Sequence, residues 1–233
     1  MVRRLAYSVS EREHWISAAG GMLGTLAVLS VSRFLPGSHG NALIIASMGA
    51  SAVLLFAAPH GALSQPWPVL GGHLVSAVIG VSCARWLGGD LMLAASLAVA
   101  LSIAAMYSMR CLHPPGGATA LYAVMGGEAV HAMGYGYLLN PVLGNVAAIL
   151  LVAVAFNYPF AWRRYPQAWA RRNTTKAEKA MIPHSRLVYA LSQIDTFVDV
   201  SEEDLQRIYE LAMHEEAPAA QAAGKLAAES GRA

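Results

Sequence analysis

The sequence predicts an all-α, polytopic transmembrane helix bundle carrying a small cytoplasmic helical tail. Three observations lead there. The 233 residues are 56% hydrophobic and only 13% charged, about half the charge of a typical soluble domain, and the mean hydropathy is +0.44. The charges are also segregated: between Trp15 and Ala161 the only ones are Arg33, Arg85, Asp90, Arg110 and Glu128. Finally, the apolar runs approach or reach the roughly 20 residues that a spanning helix needs, and Pro- and Gly-rich turns separate them.

Residues 1–14 form a polar N-terminal segment that runs into the first span without a small-residue cleavage site, so no cleaved signal peptide is expected. Trp15 to Leu35 is the first span, with Trp15 as an interfacial anchor and Arg33 able to snorkel at the far end. Pro36 to Gly40 is a turn. Asn41 to Ala58 is the second apolar segment and Pro59 closes it. Gln65-Pro66-Trp67-Pro68 is a stiff lead into the third, Val69 to Leu87. Gly88-Gly89-Asp90 turns the chain into the fourth span, Leu91 to Met109. The fifth segment, Gly116 to Gly127, is short and reads as a half-helix. Glu128 and His131 then fall in a loop, and Leu138 to Phe160 is the sixth segment. The membrane domain is thus expected over 15–162, with four to six membrane segments.

Arg163, Arg164, Arg171, Arg172, Lys176 and Lys179 follow the last span. By the positive-inside rule this end is cytoplasmic, and Arg3, Arg4 and Arg12 favour the same side for the N-terminus. Residues 163–214 read as a cytoplasmic tail. Within it, Ser185 to Met213 would form two amphipathic helices, the second opened by the capping-box pattern Ser201-Glu202-Glu203-Asp204. Residues 215–233 have too little apolar bulk to pack and are expected to be disordered. A net charge of +2 does not suggest a nucleic-acid partner. Cys83 and Cys111, both in or beside apolar segments, do not suggest a disulfide framework. Membrane lipid is an expected partner, with homo-oligomerisation left open.

The second and fifth segments look alike: Gly49-Ala50-Ser51-Ala52-Val53-Leu54 aligns with Gly117-Ala118-Thr119-Ala120-Leu121-Tyr122. Downstream, Pro68-Val69-Leu70-Gly71 aligns with Pro141-Val142-Leu143-Gly144. The implied unit is a span, a Gly-rich helix and a Pro-initiated span, present twice, as halves 15–87 and 91–160. With three crossings per half the copies would be inverted, a design that places substrate at the interface between repeats.

The chemistry concentrates in Met109-Arg110-Cys111-Leu112-His113-Pro114-Pro115-Gly116-Gly117-Ala118-Thr119-Ala120. The prolines end one helix, and the glycines can open another whose N-terminus attracts anions. Arg110, His113, Gly116, Gly117 and Thr119, with Ser47, Gly49 and Ser51 from the related segment, are therefore candidate anion ligands. The alternatives are that Arg110 snorkels to lipid phosphate, that His113 caps a helix end, and that the small residues permit close helix packing. His73, inside the third segment, either bonds a neighbouring carbonyl or relays protons. No metal site is expected, since no two of His73, His113, His131, Cys83 and Cys111 have ligand spacing on one helix. No cofactor-binding loop or nucleophilic-catalysis signature is visible, so the chain is not expected to be an enzyme.

The stretch Leu112 to Leu121 resembles the His-Pro-Pro signature of the HPP family of integral membrane proteins. The resemblance extends through Gly49 to Phe56, Gln65 to His73 and the sixth span, covering roughly residues 12 to 170. It implies a bundle usually described as four spanning helices and, from plastid and cyanobacterial members, nitrite transport. Ala190 to Asp195 and Ser201 to Leu205 look similar to bacterial members that carry C-terminal CBS domains, although this chain ends before any such domain. That likeness implies a bacterial inner membrane. The competing expectation is a membrane anchor for a cytoplasmic sensor or assembly tail, with no transport.

Overall fold

Each apolar run becomes a helix whose ends fall at the punctuation around it. In the computed structural model, which describes residues 10–34 and 42–170 together with Leu205 and Tyr209, the chain divides into two units, Met1–Asn173 and Thr174–Ala233. The tail helices and the Ala-rich end expected from the sequence lie outside the described residues, apart from Leu205 and Tyr209, which are both helical.

Helix α1 is Glu11–Phe34, and Ser10 caps it by accepting the Glu13 N–H at 3.3 Å. Helix α2 is Ala42–Ala57. A short 3-10 turn, Ala62–Ser64, leads to α3, Pro66–Leu87, which starts on the proline whose missing N–H costs nothing there. Helix α4, Leu91–Ser108, opens on Asp90, whose carboxylate accepts the Leu93 N–H at 3.0 Å. Helix α5 is Pro115–Met125. A six-residue helix α6, Glu128–Met133, occupies what the sequence suggested was a loop. A kinked π-type turn, Leu138–Leu143, feeds α7, Gly144–Asn157, and α8 is Gln167–Ala170. Among the described residues there is no strand. Among the described residues, four stretches are long and apolar enough to cross a membrane: α1, α3, α4 and Leu138–Asn157. Helices α2 and α5, with 16 and 11 residues, are shorter.

Contacts at the two ends of the bundle fix how the longer helices run. The start of α1 meets the exit of α7, where Glu13 pairs with Arg163. Arg163 also donates to the Phe56 carbonyl at the end of α2, and Asn157 donates to the Leu55 carbonyl at 3.1 Å. Tyr165 donates to the Ser64 carbonyl at 2.8 Å, just before α3, and burial pushes its phenol above the usual value. The Trp67 indole donates to the Met109 carbonyl at 3.1 Å, placing the end of α4 on this same terminal face. On the opposite face Ser32 of α1 donates to Asn145 of α7 at 2.9 Å, and Ser82 of α3 meets the Tyr135 hydroxyl at 2.9 Å. The chain therefore alternates: α1 up, α2 down, α3 up, α4 down, α5 up, α7 down.

The packing has a matching pattern. Helix α1 packs on α2 and α7, while α4 packs on α5 and α3; α2 touches α7 as α5 touches α3, and α2 meets α5. Exchanging α1 with α4, α2 with α5 and α3 with α7 maps these pairings onto themselves and reverses every direction. Such an exchange has the form of an inverted repeat.

Lipid offers no hydrophobic drive for helix association, so close packing must supply it. The α3–α5 crossing shows how. A Cβ on Gly80 would lie 2.6 Å from the Ala120 carbonyl oxygen and 2.8 Å from the Ala123 Cβ. Backbone cannot step aside, so Gly80→Val must part the two helices. We expect it to lower the melting temperature in detergent, with an overpacking cost of about 1–3 kcal/mol. Gly117→Ala is the control, since a Cβ there meets nothing within 4 Å. Equal melting of the two variants would contradict this packing.

Candidate functional site

The turn after α4 is a helix stop built from main-chain bonds. The Arg110 N–H donates to the Tyr107 carbonyl at 3.1 Å, and the Cys111 N–H reaches back to Met106 at 2.9 Å. These two bonds define the Schellman motif, whose left-handed position is held here by Arg110 at φ 52°. The reversal sends Cys111 and His113 inward, where both are buried. Two glycines of α3 make room: a Cβ on Gly71 would meet Cys111 Cβ at 2.8 Å, and one on Gly72 would meet His113 Cβ at 2.6 Å.

What this turn delivers is a polar cluster inside an apolar bundle. Ser47, Ser51, His73, His113 and Thr119 are each at most 1% exposed. The Ser51 hydroxyl lies 2.9 Å from His73 Nε2 and 2.9 Å from His113 Nε2. His73 Nδ1 lies 2.7 Å from the Thr119 hydroxyl, which is 2.9 Å from that of Ser47. His113 Nδ1 lies 2.9 Å from the Leu63 carbonyl oxygen. The two imidazoles meet edge to face with centroids 5.0 Å apart. Ser51 and Thr119, which align in the internal repeat, thus hold the two nitrogens of a single imidazole. Tyr137 closes the far side by donating to the Thr119 carbonyl at 3.2 Å.

Bond polarity follows from one fixed acceptor. A carbonyl oxygen can only accept, so His113 Nδ1 must carry the hydrogen given to Leu63. In the neutral ring Nε2 then accepts, and Ser51 is the donor. Having spent its one hydrogen, Ser51 accepts from His73 Nε2. His73 Nδ1 accepts from Thr119, and Thr119 accepts from Ser47. Every member is satisfied, which a buried network requires.

The remaining sequence-derived candidates lie differently. The Arg110 side chain is exposed on the terminal face, outside the buried cluster. Gly49 lies within α2 and not at its start. At the start of α5, Pro114 and Pro115 have no N–H, while those of Gly116 and Gly117 donate to the His113 and Pro114 carbonyls at 2.8 and 3.0 Å. The first turn of α5 therefore has its donors engaged, and the bare helix N-terminus expected from the sequence is not there. Gly116 is a packing residue, since a Cβ would meet the Gly72 carbonyl oxygen at 2.7 Å. From the sequence His73 reads as a carbonyl-bonded histidine or a proton relay; the structure puts it at the centre of the cluster.

Arg110 is thereby assigned a backbone task that needs no charge. Non-Gly residues pay roughly 1–2 kcal/mol in the left-handed region. Arg110→Gly should therefore melt at or above the wild-type temperature; a marked drop would show that its side chain holds the fold.

A polytopic helical membrane protein with a fully buried imidazole–hydroxyl cluster is the class that this fold and site define. The sequence matches the HPP transmembrane region over residues 6–166, and the chain belongs to the HPP family of transmembrane proteins. Two transmembrane proteins of Dictyostelium discoideum are each 36% identical over 159 residues; the matches cover 66% of this chain and 54% and 50% of theirs. The chain thus spans about half the length of these curated relatives, and both come from a eukaryote. No solved structure matches.

Proposed function

We propose that the protein passes a small inorganic anion across a membrane, nitrite being the substrate favoured by the family resemblance. The observation that supports this reading is the buried cluster of three hydroxyls and two imidazoles where α2, α3 and α5 converge. A polar cluster inside an apolar bundle has to have its bonds met from within, and its place between the two sets of matching helices is where transporters built from inverted repeats hold substrate. Hydroxyl and imidazole donors can replace an anion's hydration without the tight grip of a fixed arginine. In the structure these groups bond one another; the anion takes the place of those bonds when the halves part. Arg110 stands at the terminal face, three residues before His113, where an exposed cation raises the local anion concentration.

Binding is tested by melting the purified protein with nitrite, nitrate, formate or chloride. A ligand that binds the folded state raises the melting temperature with concentration. We expect nitrite to do so most strongly, and Arg110→Ala to keep the full shift at high ionic strength, where surface charge is screened. If none of the four anions shifts the melting, the cluster is structural and the membrane-anchor reading takes over.

The orientation belongs to the same proposal: both ends of the membrane domain face the cytoplasm of a bacterium, guided by the basic residues from Arg163 to Lys179. Single cysteines near Ser10 and in the tail should resist an impermeant thiol reagent in whole cells and react after lysis. Native Cys83 and Cys111 are both buried and give little background. Labelling in whole cells would reverse the orientation.

A further inference from the structure

Resting on the reading above, we propose that each monovalent anion crosses together with one proton, and that His113 holds that proton. The cluster contains no fixed charge: among the described residues no Asp, Glu, Lys or Arg side chain is hydrogen-bonded to any of its five members. Among the described residues, one phenol is bonded to it, and a second phenol and a thiol lie next to its members. Tyr137 donates to the Thr119 carbonyl from the π-type turn at 3.2 Å. Tyr122 of α5 meets Tyr137 at a tilt, with centroids 6.1 Å apart. Cys111 lies two residues before His113 and packs on Gly71. A lone anion in such surroundings carries a large desolvation cost. An anion beside an imidazolium is a neutral pair, so each partner makes the other's binding more favourable.

The geometry already provides for the added proton. In the neutral state Ser51 gives its hydrogen to His113 Nε2. When a proton from water bonds to that nitrogen, His113 gains one positive charge and Nε2 becomes a donor. The Ser51 hydroxyl must then turn its own hydrogen elsewhere, and a second acceptor is in reach: the Ser47 carbonyl oxygen within α2, 3.2 Å away, whose second lone pair can take it. The resulting imidazolium donates from Nδ1 to Leu63 and from Nε2 to Ser51, so neither state leaves an orphaned group. No covalent bond other than the N–H forms, and it breaks again when the proton leaves with the anion. His73 stays neutral throughout, held between Ser51 and Thr119. Leu63, the anchor of the imidazolium, lies in the half-buried turn ahead of α3, so His113 is the member nearest the terminal face.

The experiment is anion accumulation in proteoliposomes of the full chain, with nitrite and nitrate as probes and protein-free vesicles correcting for acid that crosses lipid unaided. At one proton per anion, an inward gradient of one pH unit concentrates the anion roughly tenfold at equilibrium, and a potassium-clamped membrane potential changes nothing. His113→Gln keeps an amide in place of the ring but cannot titrate, and the pH-driven accumulation should fall to equal concentrations inside and out. Should that variant fail to fold, Ser51→Ala decides. It leaves both imidazoles in place, removes the partner of Nε2, and is expected to abolish the accumulation as well. Flux that follows the membrane potential and ignores the pH gradient overturns the proton while leaving anion passage standing. Tenfold accumulation retained in either variant overturns His113 as the carrier. Absence of any flux above protein-free vesicles overturns both readings.

Discussion

Arg163→Met is expected to loosen the terminal face of the bundle and to produce the largest stability loss of any single change away from the cluster. The guanidinium is only 1% exposed. One terminal nitrogen pairs with Glu13 and donates to Ser17 at 3.1 Å; the other donates to the Phe56 carbonyl and to Asn157 at 3.1 Å, and Nε reaches Asn157 at 3.2 Å. One side chain thus ties α1, α2 and the exit of α7. Removing it leaves the Glu13 carboxylate only the Trp162 indole, at 3.0 Å, and takes a donor from the Phe56 carbonyl. Breaking a buried pair from one side typically costs about 3–5 kcal/mol. Glu13→Gln should cost less, because Glu13 is partly exposed and the amide still accepts. Arg163→Lys should recover only part, since ammonium lacks the planar fork. Thermal unfolding in detergent is the check; an Arg163→Met variant that melts with the wild type would show that the clasp is dispensable.

Thr119→Val is expected to have the largest effect on transport, at a smaller cost in stability than Arg163→Met. Valine nearly matches threonine in shape but removes the hydroxyl that donates to His73 Nδ1 and accepts from Ser47. Leaving buried polar groups unmet costs about 1–3 kcal/mol, which as a barrier or binding change is roughly 5- to 150-fold in rate or affinity. Thr119→Ser keeps the hydroxyl and should restore most of the flux. Initial uptake rates of the two variants against wild type decide: a Thr119→Val rate equal to wild type would remove the threonine from the path.

The fold was legible because its signals are long and repeated. Runs such as Leu91 to Met109 carry no charge over a full span, and Pro66, Asp90 and Pro115 stop or start helices by local chemistry alone. The alignment of Ser51 with Thr119 also anticipated that α2 and α5 play matching parts. Three things were not legible. Helix α6 is six residues long, too short for periodicity to register. Arg110 is the second case: as a lone cation in an apolar stretch it reads as a ligand, yet its position is set by a left-handed main-chain turn that no side-chain pattern announces. The same turn is why His113 points inward and Arg110 does not. In the same way, Pro114 and Pro115 both mark the helix start and remove donors that an open N-terminus would have offered. The role of His73 depended on a tertiary meeting of α2, α3 and α5 that no local spacing encodes.

Nitrite uptake into proteoliposomes, with wild type and Thr119→Val measured side by side, tests the central claim most directly. The account predicts uptake above that of protein-free vesicles for wild type, inhibited by competing nitrate or formate, and a fall of roughly 5- to 150-fold for Thr119→Val at equal protein incorporation. Wild-type vesicles that take up no more nitrite, nitrate, formate or chloride than protein-free ones would contradict it.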